Sequence, residues 1–187
     1  ISICVSFGLL EEADFQKLRK AGASRVHNNL EASAGYFPQV CTTHTQQDKI
    51  RSIEAARKAG MEVCSGGIMG LGESMEDRID LAITLRELQI KSVPVNMLNP
   101  IPGTPYENNP RLTEEDMCRI VAIFRFLLPD AFIRLAGGRG LMEDQGRRCF
   151  CSGANAAITG DMLTTSGITI QRDLEILKEL GYQVQIP

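Results

Sequence analysis

Two thiols, a guanidinium and several amides stand one at a time in short apolar runs of this sequence. Cys4 lies in residues 1–6, Cys64 in 62–66, Asn96 in 92–98 and Arg134 in 132–136, while Asn28 and Asn29 close 24–28 and Asn155 lies in 154–159. Each has an ordinary explanation when taken singly. A lone cysteine in an apolar strand is usually a small hydrophobe, a strand arginine a salt-bridge partner, and an asparagine the end of a turn. Recurring once per run, they read as a site assembled from several strands. No CxxC pair is present, and His27 and His44 lack the spacing of a zinc site. Two soft thiols on separate strands suit iron–sulfur chemistry better.

The segment Cys64-Ser-Gly-Gly-Ile-Met-Gly-Leu-Gly-Glu73 carries four glycines. Each glycine weakens a strand, so the expectation is that they let the backbone approach something flat or bulky. A phosphate loop is the competing explanation. No Gly-Lys-Ser/Thr follows, however, and the acidic Glu73 is wrong for phosphate.

The elements that must position these residues alternate regularly. Strand-like runs at about 1–6, 24–28, 62–66, 92–98, 132–136 and 154–159 are separated by helical patterns at 11–21, 46–59, 75–88 and 113–128, with a last helix at 170–180. Gly22, Gly60 and Gly181 follow helices as C-terminal signals. Ser74 with Asp77 three residues later, and Thr113, read as N-caps. Pro94 must sit where no ladder N–H is needed. Strands alternating with helices indicate parallel βαβ units. Six of them fit a TIM-type (β/α) barrel lacking two units, since a complete eight-stranded barrel takes ~250 residues. Such barrels place working residues at the C-terminal ends of their strands, and that is where the polar residues above are expected.

Composition narrows the class. The 187 residues are 43% hydrophobic and 23% charged, as in an ordinary globular domain, and one barrel domain over 1–187 is expected. A net charge of -3 gives no pull toward nucleic acid or an anionic membrane surface. The apolar stretch 120–128, interrupted by Arg125, is far short of the ~20 residues of a membrane span. Six cysteines without a paired framework suggest a reducing, cytoplasmic setting. A start at Ile1, directly in a strand, leads us to expect a piece of a longer chain.

Several motifs, in order, resemble the biotin synthase family: Cys64 to Glu73, Ser92-Val-Pro-Val-Asn-Met-Leu98, Pro100-Ile-Pro-Gly-Thr-Pro105, Arg134-Leu-Ala-Gly-Gly-Arg139, Ser152-Gly-Ala-Asn155 and Leu163-Thr-Thr165. The resemblance spans essentially the whole chain. It implies a radical S-adenosylmethionine (SAM) barrel that inserts sulfur into dethiobiotin. A [4Fe–4S] cluster on an upstream CxxxCxxC segment would cleave SAM to a 5′-deoxyadenosyl radical. An auxiliary iron–sulfur cluster, [2Fe–2S] or a variant, would donate the sulfur.

By the same resemblance Cys4, Cys64 and Arg134 are metal ligands, and Cys64 and Arg134 take part in catalysis. Asn29 and Asn96 contact the ureido ring, and Thr164 and Thr165 hold the substrate carboxylate. Glu31 meets the SAM ribose, Lys49 its carboxylate, and Gly66, Gly67 and Ile68 its adenosine. A flavodoxin or ferredoxin electron donor and a homodimer are also implied. Two positions depart from the family pattern: His27 stands for an asparagine, and Lys49 for an arginine whose fork a lysine cannot reproduce. Cys41, Cys118, Cys149 and Cys151 exceed the ligand set. Cys118 is expected in the core, and Cys149 and Cys151 are candidate extra ligands. Rival readings are another radical SAM barrel enzyme of maturase or mutase type, and a cluster-free scaffold.

Overall fold

Short β-branched runs separated by helix-length amphipathic segments pair in chain order, as the computed structural model shows for residues 2–161 and 167–184. The strands are β1 (Ile3–Val5), β2 (Ala23–His27), β3 (Glu62–Cys64), β4 (Gly67–Met69), β5 (Ser92–Met97), β6 (Phe132–Leu135) and β7 (Ala156–Ala157). The helices are α1 (Glu12–Lys20), α2 (Phe37–Val40), α3 (Gln46–Lys58), α4 (Met75–Glu87), α5 (Glu114–Leu127), α6 (Arg147–Cys151) and α7 (Ile170–Glu179). All pairings are parallel, in the order β1-β2-β3-β5-β6-β7, with β4 beside β5. β3 and β4 are two halves of one strand position, so six positions follow one another around an arc. Sequential parallel strands joined through helices form the wall of a (β/α) barrel, as expected. Among the described residues no helix is long and apolar enough to cross a membrane.

Burial alternates along the strands and identifies the two faces. Val93, Val95, Ile133 and Leu135 are buried against the helical layer, where Leu81, Leu85, Ile120 and Phe124 complete the core, and Val26 is buried with Phe15 and Ala56 in a second cluster. The alternate residues Arg25, His27, Cys64, Ser92, Asn96 and Arg134 are half-buried on the opposite, lumenal face.

Three helices start in reciprocal capping boxes. Ser74 with Asp77, and Thr113 as a cap, were legible beforehand; Asp116 completes the Thr113 box, and Thr45 with Asp48 forms a third at α3. The short helices α2 and α6 were not expected. The last predicted strand contracts to Ala156–Ala157, so Asn155 precedes it rather than ending it. Asn155 Oδ1 accepts from Ile133 N at 2.9 Å, a side-chain extension of the β6 ladder.

Gly66 and Gly67 of the 64–73 segment are also required by the protein's own packing. A Cβ on Gly66 would overlap the Pro94 carbonyl, and one on Gly67 would sit 2.5 Å from the Glu31 carbonyl oxygen. What approaches closely is the protein's own backbone, from β5 and from the loop after β2. Pro94 turns its carbonyl toward Gly66, where β3 and β4 break, so the N–H it lacks falls at a gap in the ladder.

Candidate functional site

Register brings the thiols and guanidinium to one face. Cys4 on β1 pairs with Arg25 on β2, Cys64 on β3 pairs with His27 on β2 and Ser92 on β5, and Pro94 on β5 pairs with Arg134 on β6. Paired residues in neighbouring strands share a face, so Cys4, Cys64 and Arg134 all point into the lumen. Cys64 is the last residue of β3, and Cys4 and Arg134 each stand one residue before the end of β1 and β6. Ser92 links two of them: its Oγ donates to Cys64 Sγ at 3.4 Å and accepts from Arg134 Nη2 at 3.3 Å.

Both thiols are pushed above the ordinary cysteine range. For Cys4, partial burial is the main cause and the neighbouring Cys64 adds to it, while Arg25 and Arg134 oppose. For Cys64, burial is opposed by the Ser92 bond and by Arg134 and Arg25. The two cysteines and two arginines therefore occupy one electrostatic neighbourhood. Arg25 was missed from sequence, although its period-two spacing from His27 already placed it on the same face.

A second group lies beyond the ends of β2 and β3. Glu31 has a left-handed backbone, with φ of 68°, a conformation uncommon for a residue with a side chain. Its backbone is locked to the glycine segment: Glu31 N donates to Gly66 O at 3.1 Å, and Ile68 N donates to Glu31 O at 2.9 Å. Burial raises the Glu31 carboxyl above its usual range, against the pull of Lys49 on α3 and a 3.4 Å bond from Asn29 Nδ2. His27 is pushed down by burial and then by Lys49. Lys49 thus lies within electrostatic reach of both.

The two asparagines are already paired within the protein. Asn96 Nδ2 donates to Gly67 O at 3.0 Å and its Oδ1 accepts from Gly137 N at 2.9 Å. Asn29 Oδ1 accepts from Gly66 N at 2.9 Å. Each amide keeps one donor and one acceptor valence free of these bonds. Ile68 pairs with Asn96 and shares its face. Asn28 is buried, and its Nδ2 has no partner among the described residues. Thr164 and Thr165 lie outside the described residues.

The surplus cysteines sit elsewhere. Cys149 is buried on α6 with its Sγ 3.9 Å from Cys118 Sγ on α5, on the helical side of the sheet. Burial, followed by the neighbouring Cys118, drives the Cys149 thiol far up, and Cys151 is exposed on the same helix. Neither is placed as a ligand for the lumenal thiols. Cys41 Sγ is 3.3 Å from both Thr43 Oγ1 and His44 Nδ1, and the Thr43 bond holds its thiol below the usual range.

Among the described residues no three His, Cys, Asp or Glu side chains cluster as a metal site. The chemistry of the lumenal residues fits an iron–sulfur group: two soft sulfur donors, Cys4 and Cys64, share one face of the sheet with two guanidinium cations, Arg25 and Arg134.

Residues 1–85 match the radical SAM superfamily, and residues 94–183 match the biotin and thiamin synthesis associated domain. Methylornithine synthase superposes with a TM-score of 0.83 at 19% identity, covering 100% of this chain and 59% of that one. An FeFe-hydrogenase maturase from Carboxydothermus hydrogenoformans gives a TM-score of 0.75 at 18% identity, over 97% of this chain and 47% of its own. These likenesses establish the fold, an arc of the radical SAM barrel.

Within that class the sequence is 67% identical over 184 residues to a biotin synthase of Brachyspira hyodysenteriae, covering 98% of this chain and 55% of that one. It is 59% identical over 186 residues to a biotin synthase of Akkermansia muciniphila, covering 100% and 58%. The chain belongs to the biotin synthase family. It spans a little over half the length of these relatives.

Proposed function

We propose that this chain supplies the lumenal wall of an enzyme that inserts sulfur into dethiobiotin to form biotin. The observation that carries the reading is the convergence of Cys4, Cys64 and Arg134 on one lumenal face, with Asn96 and Ile68 farther along the same wall. When bound, SAM with a [4Fe–4S] cluster supplies hydrogen-abstracting radical chemistry, and an auxiliary cluster supplies the sulfur. Cys4 and Cys64 would hold that auxiliary cluster, of [2Fe–2S] or a related type, as thiolates, so its assembly releases their protons. Arg134, tied to Ser92, would face the same cluster from β6.

The free donor and acceptor valences of Asn29 and Asn96 suit a ureido ring, which carries both N–H and C=O groups. Because their other valences are bound, to backbone for Asn96 and to Gly66 N and the Glu31 carboxylate for Asn29, these amides are held in fixed orientation before substrate arrives. Thr164 and Thr165 are assigned to the substrate carboxylate. Glu31 would accept from the SAM ribose hydroxyls, Lys49 would meet the SAM carboxylate as a point charge, and the backbone of Gly66, Gly67 and Ile68 would lie along the adenosine. A small iron–sulfur or flavin protein, a ferredoxin or flavodoxin, would deliver electrons. The working form is a cytoplasmic homodimer.

The test is an anaerobic assay of a chain carrying this sequence at the relatives' full length, with SAM, reductant and dethiobiotin. Biotin is the expected product. Formation of 5′-deoxyadenosine without biotin would assign the barrel to a different radical reaction.

A further inference from the structure

Arg25 has no role in the ligand set considered so far. Its Cα lies opposite Cys4 on one side and Glu62 on the other, so its side chain enters the lumen between the two cysteine strands. Its Nε donates to Glu62 Oε2 at 2.6 Å, and among the described residues its terminal guanidinium nitrogens donate to no protein group. As a source of stability this pair is weak. The Arg25 side chain is 32% exposed and that of Glu62 72%, and pairs this open are typically worth less than ~1 kcal/mol. What the pair does is fix direction: one edge of the guanidinium is held by Glu62, and the other is left for the space beside the thiols. Arg134 stands across that space, anchored through Ser92 to the Cys64 side. The thiol pair is thus bracketed by two cations, one from β2 and one from β6.

We propose that Arg25, braced by Glu62, is a positioning residue for the iron–sulfur group at Cys4 and Cys64, supplying a second positive charge that favours its reduced form. The inference rests on the proposed function above. A thiolate-held cluster carries negative charge and gains more with each electron, so a nearby cation stabilises the reduced state more than the oxidised one. Glu62 partly neutralises Arg25 and thereby limits the effect. The two residues set opposing contributions at one point of the lumen.

The experiment uses the full-length chain, reconstituted anaerobically with iron and sulfide, in wild-type, Arg25→Gln, Arg25→Lys, Glu62→Gln and Cys64→Ser forms. Signals that disappear in Cys64→Ser define the auxiliary cluster in optical and paramagnetic redox titrations. In Arg25→Gln the reduction equilibrium of that cluster is expected to weaken by about tenfold, 59 mV more negative for a one-electron couple. Arg25→Lys should recover most of the shift, and Glu62→Gln should move the midpoint the other way. A wild-type midpoint in folded Arg25→Gln overturns the proposal while leaving the two-thiol site standing. If Arg25→Gln does not fold, an unchanged midpoint in Glu62→Gln overturns it instead. A wild-type protein with no Cys64-dependent cluster signal removes the underlying reading, and this inference with it.

Discussion

Asn96 shows how a side chain chosen for chemistry can also hold up the fold. Its amide ties Gly67 of β4 to Gly137 beyond β6, partners 29 and 41 residues away in sequence. Replacing it with leucine strands a backbone carbonyl and an N–H, each costing ~1–3 kcal/mol when buried unmet. Asn96→Leu is therefore expected to lower unfolding stability by about 2 kcal/mol or more, read as a drop in the denaturant midpoint before any substrate is added. An unchanged midpoint would mean that water replaces both bonds. Which backbone groups Asn96 would bond was not legible, because periodicity reveals a face but not a bonding partner. Residue type and strand position sufficed to single out Cys4, Cys64 and Arg134. The linking Ser92 and the charged Arg25 were given no role by the resemblance, and only the strand register sets them beside a thiol.

The helices were legible because their starting chemistry is local. Ser74 Oγ accepts from Asp77 N at 3.1 Å while Asp77 Oδ2 accepts from Ser74 N at 3.0 Å, all within four residues. Ser74→Ala removes one half of the box and should cost about 1 kcal/mol, measured by thermal or denaturant unfolding. The same boxes predict an acid limb. Bonds from Ser33 and Ser74 hold the Asp77 carboxyl below its usual range, and bonds from Thr113 do so for Asp116. A depressed folded-state pKa contributes stability that is complete above the ordinary carboxylate value of ~3.9 and is lost as pH falls through the lower folded value. Stability should therefore be insensitive to these groups near neutrality and decline below about pH 4, less steeply in Ser74→Ala. An identical acid slope in the variant would detach Asp77 from that limb. Helices α2 and α6 were illegible for the complementary reason. They are four and five residues long, too short for periodicity, and neither N-cap makes a side-chain capping bond.

At the scale of the whole molecule, the parallel order of the sheet could be read from alternation alone, because a strand, a helix and a strand in turn leave few other arrangements. The seating of the last helix could not. Arg139, from the turn after β6, donates through Nη2 to Asp173 on α7 at 2.6 Å, with both side chains almost fully buried. Such a pair adds little over an apolar equivalent, but removing one partner strands a buried charge at a cost of ~3–5 kcal/mol. Asp173→Ala should lose stability on that order and increase proteolytic cleavage around α7; wild-type protease resistance would show that α7 is held by packing alone. On the opposite side of the sheet, Cys64 is proposed to hold a sulfur-donating cluster and not to generate the radical. The most direct measurement is 5′-deoxyadenosine and biotin formation by folded Cys64→Ala in the full-length chain, alongside its iron content. Continued deoxyadenosine formation with iron reduced and biotin abolished is the predicted result. Biotin formed at the wild-type level, or deoxyadenosine lost together with biotin, would contradict it.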